Sequence, residues 1–379
     1  MPNNPTHYLP ILEKLIGFPT ISRETNLPLI DYSEDFLSSQ GFQTQRFYNE
    51  QGNKANLMAW IGPERDGGLM LAGHTDVVPV DQQDWTTDPF RLTEKNGHLY
   101  GRGTSDMKGF LALALEAAAT LDSRQLQRPL YLCFTYDEEI GCGGAKALIA
   151  YLKTLSPSPR FALIGEPTDL ALVTAHKGIQ ITTTHIKGKP AHSSCPQLGA
   201  SAIVFASKLI AALEELLPPE ENRDFNPPSA TFNVGTIHGG TAINIIPEHC
   251  QFDWECRTLP SQNTAQINQA WEHLIHSLRK QIQDIEVENH IKTAVPGLKS
   301  GINREIAAWL KEFLEEGKIG TAPFVTEAGL YQQAGLPTVV CGPGSIREAH
   351  QPDESIAIPR MENYRAFLHQ VVGDLVEQK

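Results

Sequence analysis

The stretch that most restricts the fold is Gly68-Leu69-Met70-Leu71-Ala72-Gly73-His74-Thr75-Asp76. Its apolar run is short, unbroken by polar residues and closed by a His-x-Asp pair, the signature of a buried strand rather than of a helix. A strand that is apolar on both faces belongs to a sheet covered on both sides, which is usually parallel. In an extended chain residues two apart point the same way, so His74 and Asp76 lean toward one spot. There the carboxylate can orient the imidazole through its other nitrogen, as around a metal-binding histidine. A polar pair capping a strand is the plainer alternative. The pattern then recurs: strand 130–135 runs into Asp137-Glu138-Glu139, strand 161–164 into Gly165-Glu166, and strand 337–341 into a segment ending at His350.

The remaining periodicity places these strands in an α/β unit with a largely parallel sheet. Helical spacing is expected over 8–18 and 29–40, with strands at 42–48 and 56–61. A Gly-rich loop over 99–109 feeds an apolar helix at about 110–121, and another helix falls around 144–153. The middle of the chain changes character. Strand 179–187, helix 200–217, a Pro-rich loop 218–228 and strands 230–237 and 249–257 lead to helix 264–282 and strand 285–291. This β-α-β-β-α-β order is that of a small ferredoxin-like domain. After Pro296 the α/β pattern returns, with helix 302–315, strand 322–325, helix 327–334, strand 337–341 and a last helix over 360–377. The expected organisation is therefore a catalytic α/β domain in two parts, 1–177 and 292–379, interrupted by an inserted lid or dimerisation domain at 178–291. An insert of about 110 residues is an ordinary domain size.

Charge and cysteine usage narrow the function. A net charge of −13 and a pI near 5.5 argue against nucleic acid or an anionic membrane as the main partner. Cysteines 133, 142, 195, 250, 256 and 341 show no C-x-x-C spacing and sit in apolar segments, which fits reduced thiols of a cytoplasmic protein. The start, MPNNPTHYLP, has no basic region followed by an apolar one, so no signal peptide is expected. The apolar run Phe110 to Leu121 is too short to cross a bilayer and carries Glu116.

In an open α/β sheet function gathers beyond the carboxyl ends of the strands. His74, Asp76, Glu138, Glu139, Glu166 and His350 are expected there, joined by Asp106 from its glycine-rich loop. Two histidines with three to five carboxylates suit zinc, manganese or cobalt far better than copper or an iron–sulfur cluster. With Asp106 between two divalent ions, and Glu139 and Glu166 as the other charged ligands, three negative charges face four positive ones. The residual positive charge suits hydrolysis by an activated water. Glu138 and Glu139 are adjacent and cannot serve one ion in the same way, which leaves one of them free to move a proton. A solvated acidic loop is the alternative for Asp137-Glu138-Glu139.

The segments LMLAGHTDVVP, YGRGTSDMKGFLAL, DEEIGCGGAK, IGEPT and GPGSIREAHQPDE together resemble the co-catalytic dinuclear-zinc family of aminoacylases, deacylases and carboxypeptidases, in order and along essentially the whole chain. The resemblance implies two zinc ions, with cobalt able to substitute, bridged by Asp106. His74 and Glu166 complete one site, Glu139 and His350 the other. It makes Glu138 the general acid/base, Asp76 the partner of His74, and the peptide after Asp106 cis. In the inserted domain, Lys189 to Ser194, Gly239 to Pro247 and Arg257 to Pro260 resemble the segments that meet the substrate. By that resemblance His192 polarises the scissile carbonyl, from the opposite subunit in dimeric relatives, while Asn244 contacts the substrate and Arg257 grips its carboxylate. Taken alone, His192 reads as an exposed loop histidine.

The expected partner is accordingly a small N-acyl amino acid, and the expected assembly is a homodimer through the inserted domain. Thr326-Glu327-Ala328-Gly329 and Ala349 to Glu354 resemble the branch of that family acting on N2-acetyl-L-ornithine, which the resemblance implies as substrate, with N-acetylcitrulline and N-succinyl-diaminopimelate as alternatives. Glu327 is then expected to face the ornithine ammonium, unless it only favours a helix N-terminus through the dipole. A non-catalytic metal-binding relative is the reading from another class, and the presence of Glu138 speaks against it. No Gly-x-Ser-x-Gly, His-Glu-x-x-His or P-loop motif occurs.

Overall fold

The computed structural model describes residues 7–217, 220–262, 264–314 and 317–376. The first six residues, the start of the 218–228 loop and the ends of the helices expected at 302–315 and 360–377 lie outside them. The chain divides into two compact units. One comprises residues up to Ala175 with Lys299–Gly320 and Thr326 onward, the other His176–Leu298 with Thr321–Val325.

The first unit is built on an eight-stranded sheet. Its strand order is Gln43–Tyr48, Ala55–Ile61, Leu130–Thr135, Gly68–His74, Pro159–Ile164, Thr338–Val340, Leu172–His176, Ile319–Ala322. The four strands from Leu130–Thr135 to Thr338–Val340 are mutually parallel, and antiparallel pairings flank them on both sides. Gly68–His74 is buried at every residue, as its unbroken apolar run requires. Helix Lys108–Thr120 is apolar around most of its circumference and buried from Lys108 to Ala118, so it is a core helix rather than a surface one. Helices Tyr8–Ile16 and Ile358–Gly373 pack against it, with the Phe110 and Tyr364 rings edge to face at 6.0 Å. Its one acidic residue, Glu116, is paired with Arg365 at 2.7 Å and His369 at 2.7 Å.

The second unit is a four-stranded antiparallel sheet, ordered Thr231–Gly239, His249–Thr258, Gly178–Lys187, Glu286–Val295, with helices Ala202–Ala211 and Thr264–Arg279. Strand His249–Thr258 alternates buried and more exposed residues without a break, as in a sheet with one packed face. Phe252, Trp254 and Trp271 form the aromatic centre of that core, the two indoles 4.8 Å apart.

Three expectations are corrected. Strand 322–325 lies earlier, at Ile319–Ala322, because Pro323 has no N–H for a ladder. Helix 200–217 is α-helical only over Ala202–Ala211 and tightens into a 3₁₀ turn at Leu213–Glu215, ahead of the proline pair in the sequence. The second unit runs to Leu298 rather than 291, because its last strand extends to Val295 and Leu298 exchanges two backbone hydrogen bonds with His176, at 3.2 and 3.0 Å. The sequence also gave no sign of the small sheet made by Thr93–Lys95, His98–Tyr100 and Ser355–Ala357.

Gly165, at the end of strand Pro159–Ile164, marks the tightest packing beneath the site. A β-carbon there would lie 1.9 Å from Cγ of the Phe110 ring. Gly165→Ala is expected to destabilise the protein by about 1–3 kcal/mol through overpacking, seen as a lower urea midpoint. An unchanged midpoint would show that the helix yields there.

Candidate metal centre

His74 ends its strand in register with Thr135, and Ala72 with Ile164, which is in turn in register with Val340. The loops after Thr135, Ile164 and Val340 therefore all leave the sheet at the same edge as His74. They bring Glu138 and Glu139, Glu166, and His350 to one place. Asp106 reaches it from the loop before helix Lys108–Thr120, and the Asp106–Met107 peptide is cis.

Asp106 lies between the two histidines. Its Oδ1 is 3.1 Å from His74 Nε2, and its Oδ2 is 3.4 Å from His350 Nε2. His350 Nε2 is also 3.0 Å from a Glu139 oxygen, and His74 Nε2 is 3.8 Å from Glu166 Oε1. Ligand atoms of His74, Asp106 and Glu139 lie within 4.8 Å of one another, as do those of His74, Glu138 and Glu166. Glu166 Oε1 is buried without a hydrogen-bond partner.

Such a cluster cannot ionise fully by itself. Burial and the neighbouring carboxylates push Glu138 and Glu166 well above the usual carboxylate range and Glu139 up to about 7. The hydrogen bonds that its ring donates to the Asp106 and Glu139 carboxylates raise His350 to about 10. Burial opposes a charge on His74, yet the Glu166, Asp106 and Glu138 carboxylates hold it well above its ordinary value. Burial likewise opposes a charge on Asp106, but both histidines hold its carboxyl far below the usual range. N and O donors that are largely buried except for the exposed His350, a buried carboxylate oxygen without a hydrogen bond and a carboxylate spanning two histidines fit borderline divalent metals.

Asp76 is arranged differently from expectation. His74 Nδ1 is 2.8 Å from the backbone carbonyl oxygen of Asp76, and the nearest carboxylate oxygen is 3.6 Å away. The Asp76 carboxylate instead accepts hydrogen bonds from Ser22 Oγ at 2.7 Å, Glu138 N at 3.1 Å and Glu139 N at 3.3 Å. A carboxylate that can collect backbone N–H donors from a turn does so in preference to one ring nitrogen, which the closer carbonyl has already engaged. Asp76 thus ties the turn carrying Glu138 and Glu139 to the strand carrying His74. Ser22 was not singled out in the sequence, since a lone serine more than fifty residues upstream carries no local signal.

Glu327 stands at the N-terminal end of the short helix Ala328–Gln333, 1% exposed, with both carboxylate oxygens short of a well-formed hydrogen bond. Burial raises it to about 7, against the partial compensation of the Thr135 hydroxyl and His74. The other three expected residues belong to the second unit. His192 is exposed, with Nδ1 2.8 Å from Ser194 Oγ. Its neighbour Ser193 donates its N–H to the Asn244 carbonyl at 3.0 Å, so the segments of His192 and Asn244 lie side by side. Arg257 Nε is 3.2 Å from Glu255 Oε1. All six cysteines are free, and five are buried. Among the described residues no helix is long and apolar enough to cross a membrane.

The chain resembles known proteins in sequence and in fold. Acetylornithine deacetylase of Myxococcus xanthus is 39% identical, covering 96% of both chains, and that of Pasteurella multocida is 36% identical, covering 97% of both. Among solved structures, an M20 family metallo-carboxypeptidase from Sulfolobus solfataricus superposes with a TM-score of 0.79 at 19% identity, over 98% of each chain. A tripeptidase from Staphylococcus aureus superposes with a TM-score of 0.77 at 20% identity, over 99% of each. Residues 70–374 match the family described as Peptidase family M20/M25/M40, and the chain belongs to it.

Proposed function

We propose that this chain is a metal-dependent amide hydrolase that removes the acetyl group from N2-acetyl-L-ornithine, giving L-ornithine and acetate, a cytoplasmic step of arginine biosynthesis. The observation that carries the reading is Asp106, with one carboxylate oxygen toward each histidine. The full-length relatives bearing that name supply the substrate.

Two divalent ions, zinc or cobalt, held by His74, Asp106 and Glu166 and by Asp106, Glu139 and His350, would polarise the amide carbonyl and acidify the attacking water. Glu138 is the proton carrier. It takes a proton from that water and delivers it to the amide nitrogen, so that the C–N bond breaks with the amine as leaving group. Asp76 fixes the turn that aims Glu138. Arg257 takes the substrate carboxylate, and Asn244 and His192 bind around the scissile amide. His192 acts from the opposite subunit of a homodimer. The dimer is supported by strand Thr231–Gly239 at the edge of its sheet and by the exposed apolar residues Val204, Ile237 and Ile243 of the same unit. Sedimentation at twice the chain mass is expected, and a monomer at micromolar concentration would remove the trans histidine.

Exhaustive chelation is expected to abolish hydrolysis of N2-acetyl-L-ornithine and added zinc or cobalt to restore it. Undiminished activity without metal would refute the reading. Glu138→Gln should lower kcat by about two to four orders of magnitude with bound metal unchanged. Loss of metal from that variant would make Glu138 a ligand instead.

Glu327 is proposed as the acidic group that meets the ornithine ammonium. Glu327→Gln should then lower kcat/KM for N2-acetyl-L-ornithine about 10- to 100-fold, the worth of one charge-assisted contact, and leave N-acetylmethionine nearly untouched. Equal losses on both substrates would assign the residue to the fold or to the catalytic centre.

A further inference from the structure

A second buried carboxylate stands directly behind Asp106, and every hydrogen bond it makes inside this unit is to the loop that carries Asp106. Glu354 is 1% exposed. Its Oε1 accepts from Ser105 N at 2.9 Å and Asp106 N at 3.0 Å. Its Oε2 accepts from Gly103 N at 3.0 Å and from Arg102 Nη1 at 2.8 Å. Arg102 is equally buried, with its guanidinium over the Trp85 ring at 5.0 Å. Its Nη2 donates to Gln83 Oε1 at 2.5 Å, and Gln83 Nε2 donates to the backbone carbonyl of His350 at 3.1 Å. Arg102 Nη1 also reaches the Gln351 carbonyl at 3.2 Å. An unbroken line of contacts therefore joins the backbone of Asp106 to the backbone of His350 without using either side chain. His350 needs such support, since it sits at φ +64°, a left-handed conformation uncommon outside glycine.

From this geometry we infer that Glu354, with Arg102 and Gln83, is a positioning unit that holds Asp106 and His350 as one block, and that it governs the ion shared by Asp106, Glu139 and His350 more than the ion on the His74 side. The inference rests on the dinuclear reading above. Its asymmetry follows from the contacts. His74 is set by its strand and by the Asp76 carbonyl, and Glu166 by the loop after Ile164; His74 meets the block only through the Asp106 side chain, at 3.1 Å, whereas His350 is held by it at its own backbone. A carboxylate is required at 354 because both oxygens accept from two donors each. A glutamine would turn its NH₂ onto one pair of donors in either orientation. It would also leave the buried Arg102 uncompensated, which is strongly unfavourable.

Contacts of this kind around metal ligands are typically worth about 10- to 100-fold in metal affinity. The test is a zinc titration of the metal-free full chain in competition with a chromophoric chelator, which reads each Kd without reference to activity. The natural sequence should bind two ions. Glu354→Gln should raise one Kd about 10- to 100-fold and leave the other within about threefold. Gln83→Ala, at a partly exposed position where folding is not at stake, should raise the same Kd by a smaller factor. Unchanged constants in both variants, or equal rises at both sites, would overturn the inference. If Glu354→Gln fails to fold, Gln83→Ala decides alone, and an unchanged pair of constants overturns it. A natural sequence that binds fewer than two ions removes the dinuclear reading, and the inference with it.

Discussion

Most of the structure around the site answers one electrostatic problem: carboxylates that repel one another are gathered where water cannot screen them. Asp106, Glu138, Glu139 and Glu166 converge with two histidines at the carboxyl ends of four parallel strands. In a poorly solvated pocket such a set is held together only by protons or by cations. The arrangement of the donor atoms fits cations. Folding supplies the means of enforcing the crowding. A rigid parallel sheet fixes the strand ends, and the fully apolar strand Gly68–His74 and helix Lys108–Thr120 leave little freedom to relax.

Five acidic residues of the site fall into two groups by what their oxygens do. Asp76 and Glu354 spend their oxygens mainly on backbone N–H groups of the turns that bear the ligands. Asp106, Glu139 and Glu166 turn their oxygens toward the histidines, and Glu166 Oε1 is left without a hydrogen bond. The first group builds the cavity, and the second is available to a ligand. That division is what a preorganised site needs, because ligand groups held by their own backbone do not have to be ordered when the ion arrives.

Much of this was legible in the sequence because the signals were local. An apolar run ending in His-x-Asp, or LYLCFT ending in Asp-Glu-Glu, carries its strand and its candidate ligand residues within a dozen residues. The β-α-β-β-α-β order of the second unit was legible for the same reason, since each of its strands and helices is a local run of its own. What stayed hidden depends on distant partners. The Asp76 carboxylate chooses between His74 and a turn sixty residues away, and only the folded chain shows that the turn wins. Arg102 and Glu354 look like ordinary surface charges in a glycine-rich loop and a polar tail, yet they are a buried pair 252 positions apart. Short strands such as Ser355–Ala357 escape pattern reading because three residues carry no period.

The central claim is that one carboxylate, Asp106, bridges two metal ions. Anomalous diffraction at the zinc edge, from crystals of the zinc-reconstituted protein, tests it most directly. The account predicts two peaks per chain, one against each Asp106 oxygen, the first also at His74 and Glu166 and the second at Glu139 and His350. A single peak, or two peaks with Asp106 contacting only one, would contradict it.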